Sequence, residues 1–462
     1  MELNYKKNKN ENLFKKMCDP ELLDLENIQN YIPLYNVFFD LNESNYNNIN
    51  LNNKYRLVDI NEKNSYSKFN CIISDSSDDN NNNNNNNKEV FFKYSPLVDP
   101  IKYMIGKYEL SYNIFNLPKL NKEENTFEKV YDPNNSAYSD GFFYYLSSLL
   151  LTNYNFINGI NYFGSFLSIK NDFIVNIEDD IDYLDDSDFF HKNNNILFNI
   201  TNTNNNNLFS NTKKNRTKIE ISEFDENIDI IDSVLDNILD ITDTNKDNND
   251  KALTIELTYS NLKKNNEAIE ANEDNEANED IKDNQKNEKD KKNKRQKTNE
   301  NNNSKSSCSS RYSNTESDKS ESNDENSSIE TDSESDSDSS NEEEIFMTIN
   351  KFPVQVISLE CCENTLDDYI CNNKIKDNEW ESIILQILFT LITYQKVFDF
   401  THNDLHTNNV VYNSTEKKFI YYKFNNKHYK IPTFGKIYKI IDFGRAIYKF
   451  KGKQIISDSY SP

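Results

Sequence analysis

Glycine is scarce in this chain, with 7 in 462 residues, where an average protein has about 7%. That scarcity excludes a collagen-like chain and a flexible Gly/Ser linker protein. No glycine precedes Gly106, so a glycine-rich phosphate loop is absent from the first hundred residues. Six cysteines (Cys18, Cys71, Cys308, Cys361, Cys362 and Cys371) contain no C-x-x-C pair. Neither a zinc ribbon nor a disulfide framework is expected, and a reducing compartment is the default. Long apolar runs are missing too. The longest stretches, such as IILQILFTLI at 383–392, fall well short of the roughly 20 residues that span a bilayer. The opening MELNYKKNKNENLFKK has no apolar core of a signal peptide. The expectation is a soluble, intracellular protein with no membrane partner. Positive charge is also short, 52 Lys and Arg against 77 Asp and Glu for a net of −25. Nucleic-acid binding normally needs a basic footprint, so no nucleic-acid partner is expected.

Asparagine is abundant, about one residue in six, and the negative charge has an address. Residues 171–345 carry 44 acidic and 20 basic side chains, a net of −24. The flanks are close to neutral, so the acidity says little about the partners of a folded domain. Composition divides the chain into an Asn-rich extension (1–54), a first ordered region (55–170), a partly structured insertion (171–262), a second insertion (263–345), a short ordered strand and connector (346–363), and a last ordered region (364–462). Residues 263–344 are almost wholly Asn, Asp, Glu, Lys and Ser. Such a stretch cannot bury enough apolar surface to offset a chain entropy of roughly 1–2 kcal/mol per residue, and it reads as disordered. It holds a basic cluster at 289–297 and a Ser-rich acidic run at 314–344. The acidic insert is the part suited to basic partners.

Periodicity predicts the elements. A helix is expected within Pro20–Tyr31, and a strand at 55–60 with a continuation at 67–74. The Asn run at 80–87 reads as a surface loop, followed by a strand in EVFFKYSPL at 89–97. An amphipathic helix is expected over 140–153 and a strand near 164–169. In the insertion, Ile228, Ile231, Leu235, Ile238 and Leu239 suit a helix and 254–260 a strand. Further on, FPVQVISLE at 352–360 reads as a buried strand, and Thr365 with Asp368 as a cap opening a short helix. Trp380 to Phe398 gives a helix of about five turns. A hairpin lies in 418–431, and a strand in KIYKIIDFG at 436–444.

Two short motifs carry chemistry. The loop after the long helix reads H-N-D-L-H-T-N-N, with His402, Asp404, Leu405 and Asn409, and Asp442 follows in I-I-D-F-G. Each sits at a strand–loop junction, and together they match the catalytic-loop and D-F-G signatures. Two satisfied loop-capping carboxylates, or a metal pair of His402 and His406, are the competing readings.

With these motifs the chain resembles the protein kinase superfamily. FTHNDLHTNNVVY, PTFGKIYKIIDFGRAIY, VFFKYSPLVDPIKYMIGKY and YFGSF look more narrowly like serine/threonine-protein kinases of large nucleocytoplasmic DNA viruses such as the mimiviruses. The resemblance covers roughly 88–170 and 346–462. It implies an α+β, bilobal protein-kinase-like fold carrying a large, partly disordered acidic insertion and a truncated C-terminal lobe. The chain reaches Pro462 18 residues after Gly444 without an A-P-E segment. The implied activity is transfer of the γ-phosphoryl of ATP to a Ser or Thr hydroxyl of a protein substrate, with Mg²⁺. Host cytoplasm or virion is the location it implies. Asp404 would be the catalytic base, and Asn409 and Asp442 would hold Mg²⁺. Lys93 would contact the ATP phosphates. Leu359 would be the gatekeeper, and Glu360 to Cys362 the hinge reading adenine.

The pattern also departs from the family. SYSKFNCI at 65–72 would stand where a glycine loop is usual. The helix at 140–153 has no Glu for Lys93, leaving Asp140 as the nearest acid and Glu128 as the other choice. Asn403 replaces the usual Arg, and His406 stands where Lys is usual, as in aminoglycoside-type kinases. A non-catalytic pseudokinase or scaffold, and a small-molecule phosphotransferase, therefore remain as alternatives.

Overall fold

The computed structural model describes residues 1–75, 85–108, 113–124, 126–200 and 345–460. The expected helix at 228–239, the strand at 254–260, the basic cluster at 289–297 and the acidic serine run all lie outside the described residues. Helices are mixed with antiparallel sheets, an α+β architecture.

In chain order the first elements are β1 (Tyr5–Lys7), α1 (Glu11–Met17), β2 (Leu25–Gln29), β3 (Ile49–Leu51), β4 (Tyr55–Lys63), β5 (Lys68–Asp75) and β6 (Asn85–Pro96). Then come α2 (Pro100–Met104), α3 (Ser136–Tyr154), β7 (Tyr162–Asn176), α4 (Ile181–Asp185), α5 (Asp188–Asn193) and β8 (Phe198–Ile200). The rest comprises β9 (Phe346–Glu360), β10 (Asn364–Thr365), α6 (Leu366–Asn372), α7 (Asp377–Phe398), β11 (Val410–Ser414), β12 (Phe419–Phe424), β13 (Lys427–Pro432), β14 (Lys436–Ile440), β15 (Ile447–Phe450) and β16 (Lys453–Ile456).

Seven strands form the main sheet, in the order β2-β7-β9-β6-β5-β4, with β8 pairing on β9. Its central strand β9 is buried at nearly every position from Phe352 to Leu359, as expected of a strand covered on both faces. Lys93 pairs with Ile357, and Ile357 with Ser165, which fixes the register across β6, β9 and β7. A smaller sheet, β10-β11-β14, brings Val410 opposite Ile440. That pairing sets the two motif loops side by side.

Four expectations are corrected. The helix expected within Pro20–Tyr31 is instead a turn followed by β2. Asp24 and Asn27 take left-handed φ of 51° and 54°, and the edge of β7 offers β2 its hydrogen bonds. The segments 55–60 and 67–74 are not one strand but the two arms of a hairpin, β4 and β5. Part of the expected Asn loop is strand, since Asn85 to Asn87 pair with Ser74 to Ile72. The helix α3 is also longer than the apolar stripe suggested, and it is buried on all sides from Ala137 to Leu150. A helix buried all round must find partners inside for its polar side chains as well. One side of α3 meets β7 and β9, and the other meets an aromatic cluster. Phe143 stacks on Phe400 at 4.4 Å and lies 4.6 Å from Phe443 and 5.1 Å from Tyr394.

The capping expectation agrees with the structure, Thr365 Oγ1 accepting from the Asp368 N–H at 3.1 Å to start α6. Among the described residues, no helix is long and apolar enough to cross a membrane.

Candidate active site

Lys93 leaves β6 three residues before its end, where the strand pairs with β9. Its ammonium meets two carboxylates, Asp140 Oδ2 at 2.8 Å and Asp442 Oδ1 at 2.9 Å. Asp140 projects from the second turn of α3 and is 1% exposed. It also accepts from Ser95 Oγ at 3.1 Å and, through Oδ1, from the Phe443 N–H at 2.8 Å. Of the two acids the sequence offered Lys93, the structure brings Asp140. Glu128 is exposed and pairs with Lys122 at 2.8 Å.

Burial works to deprotonate Lys93, but the fields of Asp140 and Asp442 outweigh it and hold the ammonium well above its usual range. Burial pushes the Asp140 carboxyl up, against the pull of Lys93. For Asp442, burial pushes the same way, but the Lys93 ammonium dominates and holds the carboxyl below its usual value. One cation thus serves two acids unequally.

Asp442 takes φ 62°, a region costly for a residue with a Cβ. The turn is held by its neighbours: the Asp442 N–H donates to Tyr144 Oη at 2.9 Å, and the Gly444 N–H reaches Asp442 Oδ1 at 3.4 Å. Two residues of α3, one turn apart, therefore grip successive amides of the Asp-Phe-Gly turn.

The second loop is fixed from within. His402 Nε2 lies 2.9 Å from the Ile441 carbonyl, and its Nδ1 accepts from the Asp404 N–H at 3.3 Å. A ring that donates at Nε2 and accepts at Nδ1 is neutral. Burial agrees, pushing its pKa below 6.5. Asn409 is fully buried. Its Nδ2 donates to the Asp404 carbonyl at 2.9 Å and lies 3.0 Å from His406 Nε2. Both contacts orient the amide, and Asn409 Oδ1 is left buried with no hydrogen-bond partner. Asp404 is one-fifth exposed, and its Oδ1 lies 3.2 Å from Arg445 Nη1.

Lys93, Asp140, Asp404 and Asp442 line one polar cavity of about 250 Å³, with Gly444, Arg445 and Asp458. Asn409 sits behind it, joined through the Asp404 carbonyl. Leu359, Glu360 and Cys362 do not line this cavity. Leu359 is buried on β9 between Phe91 and Tyr162. The Glu360 carboxylate is engaged by Lys439 and by Asn161 Nδ2 at 2.7 Å, and its N–H by the Asn161 carbonyl. Cys361 and Cys362 form the connector to β10, and burial pushes both thiols up, Cys361 to about 12. Residues 64–67 close the β4–β5 hairpin without a glycine. Tyr66 crosses the sheet face to accept from the Ile174 N–H at 3.1 Å.

A metal can be tested against these groups. No cluster of three or more His, Cys, Asp or Glu side chains among the described residues could hold an ion. The oxygens of Asn409 and Asp442 fit another type of site. Mg²⁺ takes hard oxygen ligands, keeps several waters and is often bound by one or two side chains plus phosphate oxygens. The unpaired Asn409 Oδ1 is a group such an ion would satisfy.

Arg445, Tyr144 and Asp458 were not picked out by pattern. Arg445 had a local signal in D-F-G-R. The other two are set by packing alone. No known family profile matches the chain. Over 94 residues, 18% of its length, the chain is 37% identical to a protein of Dictyostelium discoideum named a probable serine/threonine-protein kinase. The matched stretch is 8% of that protein.

Proposed function

We propose that this chain is a protein kinase of two-lobed, kinase-like fold, transferring the γ-phosphoryl of ATP to Ser or Thr hydroxyls with Mg²⁺. One observation carries the reading. A buried lysine from β6, an acid from α3 and the aspartate of the D-F-G turn meet in a cavity that Asp404 also lines, while the Asn409 amide oxygen is buried and unpaired. The partial likeness to a probable serine/threonine-protein kinase points the same way.

In this reading Asp140 orients Lys93, whose ammonium would bind phosphate oxygens. Mg²⁺, held by Asn409 Oδ1 and Asp442, would neutralise phosphate charge. Asp404 receives the proton of the acceptor hydroxyl as the new O–P bond forms, while the bond between the γ-phosphorus and the bridging oxygen breaks and ADP leaves. Such catalysis is mostly positioning and electrostatics.

Purified protein, labelled ATP, Mg²⁺ and a generic protein acceptor test it. Asp404→Ala is expected to reduce incorporation about 10²–10⁴-fold, and Asp442→Asn to abolish it. Equal incorporation by wild type and Asp404→Ala would sink the reading. A second reading, a kinase-like protein with impaired catalysis, is favoured by the ion pair that Arg445 makes with Asp404 and by the glycine-free hairpin. MgATP binding without incorporation would select it.

A further inference from the structure

We infer that Asp458 is a positioning residue that fixes α3, and through it the Lys93–Asp140–Asp442 group. The inference goes beyond the kinase reading, and only its kinetic arm rests on that reading. Asp458 lies just after β16, and its carboxylate has two partners. Oδ1 accepts from the Ser136 N–H, the first amide of α3, at 2.9 Å, and Oδ2 pairs with Lys129 Nζ at 3.0 Å. The Asp458 side chain is 9% exposed. The main chain joins in: the Asp458 N–H donates to the Asn134 carbonyl at 2.8 Å, and the Ile456 N–H to Asn134 Oδ1 at 3.2 Å.

The opening amides of a helix have no partner within it, and a carboxylate there also meets the positive end of the helix dipole. Asn135 already caps α3 locally, accepting from the Ala137 N–H at 3.0 Å. Asp458 adds a second cap from 322 residues away, tying the helix start to the segment that follows the D-F-G turn. That segment is anchored in turn, since Ser457 Oγ donates to the Gly444 carbonyl and the Ser457 N–H to the Ala446 carbonyl.

The circuit is closed and short. Asp458 holds Ser136, and one turn along α3 Asp140 holds both Lys93 and the Phe443 N–H. Gly444 follows Phe443 and leads back through Ser457 to Asp458. Release of the carboxylate frees the first turn of α3, and with it the depth at which Asp140 meets Lys93. The cation therefore depends on a residue that does not touch it.

The test uses the full chain with Asp458→Ala and Asp458→Asn, the latter keeping an oxygen for the Ser136 N–H. In Asp458→Ala, amide hydrogen exchange is expected to speed up in peptides covering 136–143 and 440–446 and to stay unchanged across 382–394 of α7. Asp458→Asn is expected to recover most of the protection. In the kinetic arm, kcat/KM for MgATP is expected to fall at least tenfold in Asp458→Ala and to return to within about threefold in Asp458→Asn, with the KM for the protein acceptor unchanged. Unchanged exchange at 440–446, or equal acceleration across α7, overturns the inference. A wild type that transfers no phosphate defeats the kinase reading alone, and the exchange pattern still decides the role of Asp458.

Discussion

The Lys93 ammonium compensates two largely buried carboxylates, and removing it leaves two like charges facing each other. Lys93→Met is expected to destabilise the fold by about 3–5 kcal/mol, measured by denaturant unfolding. Without the cation, the Asp140 and Asp442 carboxyls would titrate above their unfolded values. Such groups favour the folded state at low pH and lose that contribution as pH rises through their folded pKa. The deficit should therefore widen from about pH 4 to pH 7, and a pH-independent deficit would contradict the arrangement. His402 gives the opposite sign. Its folded pKa lies below 6.5, so the unfolded chain binds the proton first, and stability present above 6.5 is lost as pH falls. Between pH 7.5 and 6 the wild type should lose up to about 0.8 kcal/mol, and His402→Asn should not. At this scale, the loop residues were legible because short motifs encode neighbours: Asp404, Asn409 and His402 are bound to one another within one loop. Asp140 was legible only as the nearest acid in a helix lacking Glu. Arg445 is visible in D-F-G-R, but its pairing with Asp404 joins two loops, and neither loop alone announces it.

Among the elements, α3 was visible as a helix but its burial was not. A stripe of Phe142, Phe143, Leu146, Leu149 and Leu150 suggested one apolar face. The polar residues between them turn out to be used inside, with Asp140 on Lys93 and Ser147 Oγ 2.7 Å from Tyr394 Oη. At Gly141, α3 faces the side chains of Gln355 and Ile357. A Cβ there would lie 2.1 Å from Gln355 Nε2 and 3.4 Å from Ile357 Cδ1, both on β9. Gly141→Val should push α3 off the sheet and cost about 1–3 kcal/mol, read as a lower midpoint in thermal or denaturant unfolding. A midpoint equal to wild type would mean that Gln355 yields freely. Strands were read well where apolar runs were continuous, as in β9. They were misread where pairing rather than propensity decided, as in β2, which is extended because β7 offers it an edge.

Across the whole molecule, the main sheet joins strands that lie on either side of residues 201–344 in the sequence. Ile200 in β8 pairs with Met347 in β9, so the chain departs and returns on adjacent strands. The 144 residues at 201–344 carry a net of −17. Joining Ile200 to Ile345 through a short Gly/Ser linker should leave the fold intact. It would relieve at most about 3 kcal/mol of loop-closure entropy and move the melting temperature up or leave it in place. A drop of more than about 10 °C would show that the core leans on the excised stretch. The same crossing has a consequence for a nicked protein. β9, the strand on which β6, β7 and β8 all pair, is contributed by the part of the chain after the excursion, and Lys93 and Asp140 by the part before it. The pieces 1–200 and 345–462 are thus halves of one sheet and of one charge cluster. Cleavage anywhere in the excursion would yield two fragments that need each other, a natural split reporter whose signal is the rejoining of Lys93 with Asp442.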